Sequence, residues 1–162
     1  MKKVGIVMGS DSDLPVIQKA TALLRELEIP FEVHVYSAHR TPLEAHDFAA
    51  NAREVGFGVI IAAAGMAAHL AGAIAANTTL PVIGIPCKGP VLDGLDALLS
   101  TVQMPSGVPV ATVGINNGAN AALLAAQILA VEDPALAERL AAKRAADTAK
   151  VLEKDAKIAE RL

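Results

Sequence analysis

The chain has 162 residues, enough to bury one substantial core but short for two domains. Its 14 Lys and Arg against 17 Asp and Glu leave a net charge of -3 with no basic run, which argues against nucleic acid or an anionic membrane surface as partner. A single cysteine excludes an internal disulfide, and with no secretory signal at the start a reducing cytoplasm is the expected setting.

Val4-Gly5-Ile6-Val7-Met8 is a continuous apolar run, as expected of a strand covered on both faces. Gly9-Ser10-Asp11-Ser12-Asp13 breaks it. An amphipathic helix follows to about Glu28, with Val16, Ile17, Ala20, Leu23, Leu24 and Leu27 on one stripe. Residues 31–36 read as a second strand, and Ser37-Ala38-His39-Arg40-Thr41-Pro42 as the turn after it. Thr41 as N-cap, Pro42 at the first helical position and Glu44 closing a capping box predict a helix from Pro42 to about Val55.

From Phe57 to Ala76 twenty residues carry one ionisable side chain, His69, which is long enough to cross a bilayer. The run is mostly Ala and Gly and lacks aromatic or basic anchors, so strand 57–63, a Gly65 turn and a helix 67–76 account for it better. A fourth strand, Pro81 to Ile85, is expected to end at Pro86. A helix from about Leu95 to Val102, a fifth strand Val110 to Val113 and an alanine-rich helix from Asn117 to near Ala130 complete the core.

Strands alternating with helices at this rhythm imply a parallel sheet with helices on both faces and right-handed crossovers. Ligands of such sheets bind at the carboxyl ends of strands, where the strand order reverses. With the flavodoxin-like order 2-1-3-4-5, the turns at Gly9–Asp13, Ser37–Thr41 and Ala64–His69 become neighbours at one crevice.

The chain is expected to be one domain, 1–162, with an α/β core over 1–131 and a C-terminal helix over 132–162. That helix is capped by Asp133 or a neighbour, starts at Pro134 and is expected to run nearly to Leu162, more than twice the mean helix length of about 11–12 residues. Leu136, Leu140, Val151, Leu152, Ile158 and Leu162 form only a partial stripe on it. Its distal part is therefore expected to pack on another subunit; the alternative is a solvated, fraying tail.

Several side chains in the three turns have usable chemistry. Ser10, Ser12 and the amides after Gly9 suit a phosphate, and Asp13 suits ribose hydroxyls, although simple helix capping explains the stretch equally well. Arg40 can hold phosphate in a bidentate manner; the alternative is a surface ion pair. His39 is the residue of its turn that titrates near neutral pH, which makes it the candidate acid/base. His69 either faces the same crevice or is buried and satisfied by a carbonyl, whereas His34 and His46 read as structural or exposed. No close ligand spacing points to a metal, Cys87 reads as a plain thiol rather than a nucleophile, and one Tyr and three Phe leave little to sandwich a flavin.

Four stretches in order resemble the PurE family, the N5-carboxyaminoimidazole ribonucleotide mutases of de novo purine synthesis. They are Met8 to Asp13, Ser37 to Pro42, Gly65-Met66-Ala67-Ala68-His69-Leu70, and Val102-Gln103-Met104-Pro105-Ser106-Gly107-Val108-Pro109-Val110. The resemblance implies a flavodoxin-like three-layer αβα sandwich assembled as a homo-octamer, with the C-terminal helix reaching a neighbouring subunit. It implies an isomerase that needs no cofactor and no metal, moving a carboxylate from N5 to C4 of an imidazole. His39 would be the general acid/base, Ser10, Asp13, Ser37 and Arg40 would hold phosphate and ribose, and Gly65 to His69 would wall the imidazole. A second class of the family carboxylates aminoimidazole ribonucleotide directly with carbon dioxide; the Gly65–Leu70 and Gln103–Pro109 stretches resemble the mutase class. Ala71 departs from the proline usual in relatives, and Cys87-Lys88-Gly89 matches nothing in the pattern. From a different class, the competing reading is a non-catalytic flavodoxin-like nucleotide-binding module.

Overall fold

A computed structural model describes residues 1–158. Five strands, β1 (Lys3–Met8), β2 (Phe31–Val35), β3 (Phe57–Gly65), β4 (Val82–Cys87) and β5 (Ala111–Thr112), pair in parallel in the order 2-1-3-4-5. The helices are α1 (Leu14–Glu26), α2 (Pro42–Ala50), α3 (Leu70–Ala75), α4 (Leu95–Val102), α5 (Gly118–Ala130) and α6 (Pro134–Ile158). The parallel sheet with helices on both faces that the rhythm of the sequence predicts is the fold, in the flavodoxin-like strand order that the resemblance implies.

Alternation along the strands sorts the core into two layers. Val4, Ile6 and Met8 of β1, Val59, Ile61 and Ala63 of β3, and Ile83 and Ile85 of β4 face α1 and α5. Val7, Ile60, Ala62 and Val82 face the other way, against Ala45 and Ala49 of α2 and Leu70, Ala71 and Ile74 of α3. The apolar stretch from Phe57 is thus the fully covered central strand followed by a turn and a short helix. Among the described residues no helix is long and apolar enough to cross a membrane.

Several boundaries differ from the sequence reading, each for a local reason. A 3-10 turn over Asp11–Asp13 precedes α1, which ends at Glu26 because Glu28 turns left-handed (φ 56°). α2 stops at Ala50 rather than Val55: the Asn51 side-chain amide donates to the Asp47 carbonyl at 2.9 Å, and turns carry the chain to Gly56 (φ 91°). The helix after the third strand begins at Leu70, because β3 continues to Gly65 and Met66 is left-handed (φ 55°).

Pro86 does not end β4 but lies within it. Its N–H would point to the β5 side, where β5 has already finished, so the proline forfeits no ladder bond. Its carbonyl accepts the Asn116 N–H at 2.9 Å instead.

The Asp133 carboxylate caps α6 by accepting the Leu136 N–H at 3.0 Å. Leu136 is fully buried against α5, and the Arg139 guanidinium donates to the Leu27 carbonyl at 3.0 Å, so the first turns of α6 belong to the core. Beyond them the helix leaves the body, and Val151, Leu152 and Ile158 are exposed. Leu162, the last residue of the expected stripe, lies outside the described residues.

Candidate active site

The turn after β1 is folded around one hydroxyl. Ser10 Oγ accepts from the Ser12 N–H at 3.3 Å and from the Ser12 hydroxyl at 3.0 Å, while the Gly9 N–H donates to the Ala63 carbonyl at 3.1 Å and ties the turn to β3. Asp13 sits half-buried beneath it. Burial raises its carboxyl pKa, and hydrogen bonds from the Cys87 thiol and the Ser10 backbone oppose that rise. The same contact acts on Cys87: burial first, then the negative charge of Asp13, push the thiol up to about 12. At neutral pH Cys87 is therefore a protonated, buried thiol and no nucleophile.

The turn after β2 corrects one expectation. Thr41 stands at the N-cap position and Pro42 opens α2, but the threonine hydroxyl does not cap the helix. It accepts the Ser37 N–H at 2.8 Å instead, and the Thr41 N–H donates to the Ser37 carbonyl at 2.9 Å, so no capping box with Glu44 forms. Ser37 Oγ in turn accepts from the His39 and Arg40 backbone N–H groups at 3.3 and 3.1 Å. The serine hydroxyl thus fixes the backbone that carries the His39 and Arg40 side chains, and its own proton stays available to a ligand.

Arg40 bridges the two turns. Its Nη2 donates to the Gly9 carbonyl at 2.8 Å, and among the described residues it joins no ion pair. The guanidinium is exposed, so its other N–H groups are free to face an anion.

The third turn, after β3, closes the arrangement. Gly65 pairs with Cys87 across β3 and β4. A Cβ on Gly65 would sit 3.4 Å from the Cys87 carbonyl oxygen and 3.6 Å from the Cys87 Cβ. His69 is not buried; its ring lies 5.7 Å from that of His39, tilted by 45°.

Ser10, Asp13, Ser37, His39, Arg40, Gly65 and His69 all line one crevice of about 490 Å³, as the strand order requires. Asp11 does not line it. His34 stacks on Tyr36 at 5.1 Å beside Phe48, and His46 is exposed next to Asp47, so both stay outside the site.

The crevice also includes Lys88, Gly89 and Pro90, which motif reading missed. The signal was present in the topology, because β4 also ends at this edge of the sheet.

A protein-family model described as AIR carboxylase matches residues 3–150. The chain belongs to the AIR carboxylase family. A Pyrococcus abyssi protein named N5-carboxyaminoimidazole ribonucleotide mutase is 57% identical over 86% of this chain and 80% of its own. The Saccharomyces cerevisiae protein named phosphoribosylaminoimidazole carboxylase is 59% identical over 80% of this chain, a stretch that makes up 23% of the yeast protein. The crystal structure of Treponema denticola PurE superposes with a TM-score of 0.82 at 29% identity, covering 95% of this chain and 96% of that one. The PurE fold and the PurE family therefore coincide in this chain. Within this family member Ala71 is buried on α3 and does not line the crevice, so the departure from proline leaves the lining unchanged.

Proposed function

We propose that the chain is an N5-carboxyaminoimidazole ribonucleotide mutase, an isomerase that moves the substrate's carboxylate from N5 to C4 of the imidazole. The observation that carries this reading is the His39–His69 pair, 5.7 Å apart, facing a crevice whose neighbouring turns supply Arg40 and three serine hydroxyls. The relatives matched over most of both chains bear that name, among them the archaeal protein above.

In this reading Ser10, Ser37 and Arg40 hold the phosphate, Asp13 accepts from ribose hydroxyls, and Gly65 and His69 flank the imidazole. Protonated His39 gives its proton to the carbamate nitrogen; the N5–C bond breaks with its electrons going to nitrogen, and carbon dioxide leaves aminoimidazole ribonucleotide. C4 then attacks the carbon dioxide, and neutral His39 takes the C4 proton to restore the aromatic ring. One imidazole gives a proton and recovers one, so the cycle needs no co-reactant. Ala64, Gly65, Met66 and Ala67 form an apolar wall suited to keeping carbon dioxide beside C4.

The assembly in this reading is a homo-octamer in the cytoplasm. The exposed Val151, Leu152 and Ile158 of α6 suit burial against a neighbouring subunit, and one buried thiol suits a reducing compartment.

Retention of carbon dioxide gives a direct test. With unlabelled N5-carboxyaminoimidazole ribonucleotide and ¹³C-bicarbonate in the buffer, the product is expected to carry essentially no label at early turnover. Product labelled to the level of the buffer would overturn the mutase reading in favour of direct carboxylation.

A further inference from the structure

The crevice has a second cation that the reading above leaves unused. Lys88 follows β4 directly and lines the crevice together with Gly89 and Pro90. Its backbone is fixed: the Lys88 N–H donates to Asn116 Oδ1 at 2.9 Å, and the Asn116 N–H donates to the Pro86 carbonyl at 2.9 Å. Among the described residues its side chain is held only at its tip, where Nζ lies 2.9 Å from Asp93 Oδ1 in a pair 57% and 79% exposed. An exposed pair of this kind adds little to stability, so the ammonium can leave it readily.

The strand order says which part of a ligand Lys88 reaches. Running β2-β1-β3-β4, it places Arg40, Ser37 and Ser10 on one flank of the crevice and Lys88 on the other, across the Gly65–His69 turn, with the Asp13 carboxyl reaching between them to Cys87. The first flank has the hydroxyls and the planar guanidinium that phosphate and ribose require. On the second flank Met66, Gly89 and Pro90 offer no polar side chain, and a single compact ammonium on a flexible stem is the matching partner for one carboxylate.

We infer that Lys88 is a specificity-determining residue that swings from Asp93 to bind the carboxylate at the imidazole end of the ligand, opposite the phosphate held by Arg40. This rests on the mutase reading of the crevice. Asp93 then acts as a competing internal anion that parks the ammonium while the site is empty.

The test is calorimetric titration of aminoimidazole ribonucleotide and of its C4-carboxylated form into wild type, Lys88→Met and Asp93→Asn. Losing a charged hydrogen bond predicts that Lys88→Met weakens the carboxylated ligand about tenfold or more, while the uncarboxylated one changes less than about twofold. Asp93→Asn, which keeps a residue tolerant of the left-handed φ of 58° at that position, is expected to tighten the carboxylated ligand alone. Equal losses for both ligands in Lys88→Met, or no loss for either, would overturn the assignment. A wild type that binds the uncarboxylated ribonucleotide but not the carboxylated one would overturn it as well. A wild type that binds neither would overturn the mutase reading itself, and this inference with it.

Discussion

Replacing His39 with asparagine is expected to lower kcat by a factor of about 10² to 10⁴, the usual worth of a positioned general acid/base. Asparagine is similar in size and keeps an N–H donor, so it removes the titrating group while disturbing the crevice little. The backbone at 39 is held from outside the side chain, through the Ser37 hydroxyl and the Thr41–Ser37 pair. Folding and ligand affinity should therefore survive. KM should move by less than about threefold, because the proton is used in the transition state and not in ground-state binding. Turnover within tenfold of wild type, from a folded protein, would remove His39 from the chemistry and leave His69, the other imidazole at the crevice, to be tested in its place.

Gly118→Ala is expected to be the most damaging small substitution in the fold. A Cβ there would lie 2.2 Å from the Val16 carbonyl oxygen and 3.3 Å from the Ala20 backbone nitrogen. These are backbone atoms of α1, so no side-chain rotation relieves the clash; α1 and α5 must move apart. The surrounding contact is built from small residues, with Ala20, Ala121, Ala122 and Ala125 all fully buried, and separation opens space along the whole seam. Overpacking typically costs about 1–3 kcal/mol, and a clash with backbone atoms belongs at the upper end of that range. The helix-propensity gain of alanine over glycine, about 1 kcal/mol, does not offset it. Urea unfolding is the measurement, with the midpoint expected to fall at constant slope. An unchanged midpoint would show that the two helices are less closely locked than their geometry states. Val16 lies three residues after Asp13, so KM is expected to rise in the same variant.

Much of the site was legible from sequence because it follows from topology. Apolar runs at Val4–Met8, Phe57–Ala63 and Val82–Ile85 mark strands covered on both faces, and the turns after the first three strands then have to meet. What failed were inferences from a residue type alone where its surroundings decide otherwise. Thr41, Pro42 and Glu44 spell a capping box, yet the Thr41 hydroxyl is nearer to the Ser37 N–H and serves the turn instead of the helix. Pro86 spells a strand end, yet the short β5 leaves its missing N–H without consequence. Lys88 carries no motif at all; it reaches the crevice because of where β4 stops and because Asn116, far along the chain, holds its backbone. The setting of Asp13 was equally hidden, since its thiol partner, Cys87, stands on a strand two places away in the sheet.

The most direct test of the account is formation of 4-carboxy-5-aminoimidazole ribonucleotide by the purified protein, without ATP, from two separate mixtures. One holds N5-carboxyaminoimidazole ribonucleotide; the other holds aminoimidazole ribonucleotide with modest bicarbonate. Rapid conversion in the first and negligible conversion in the second is the predicted result. Rapid conversion in the second would make the protein a direct carboxylase, and no conversion in either, from folded protein, would contradict the role given to His39 and the crevice.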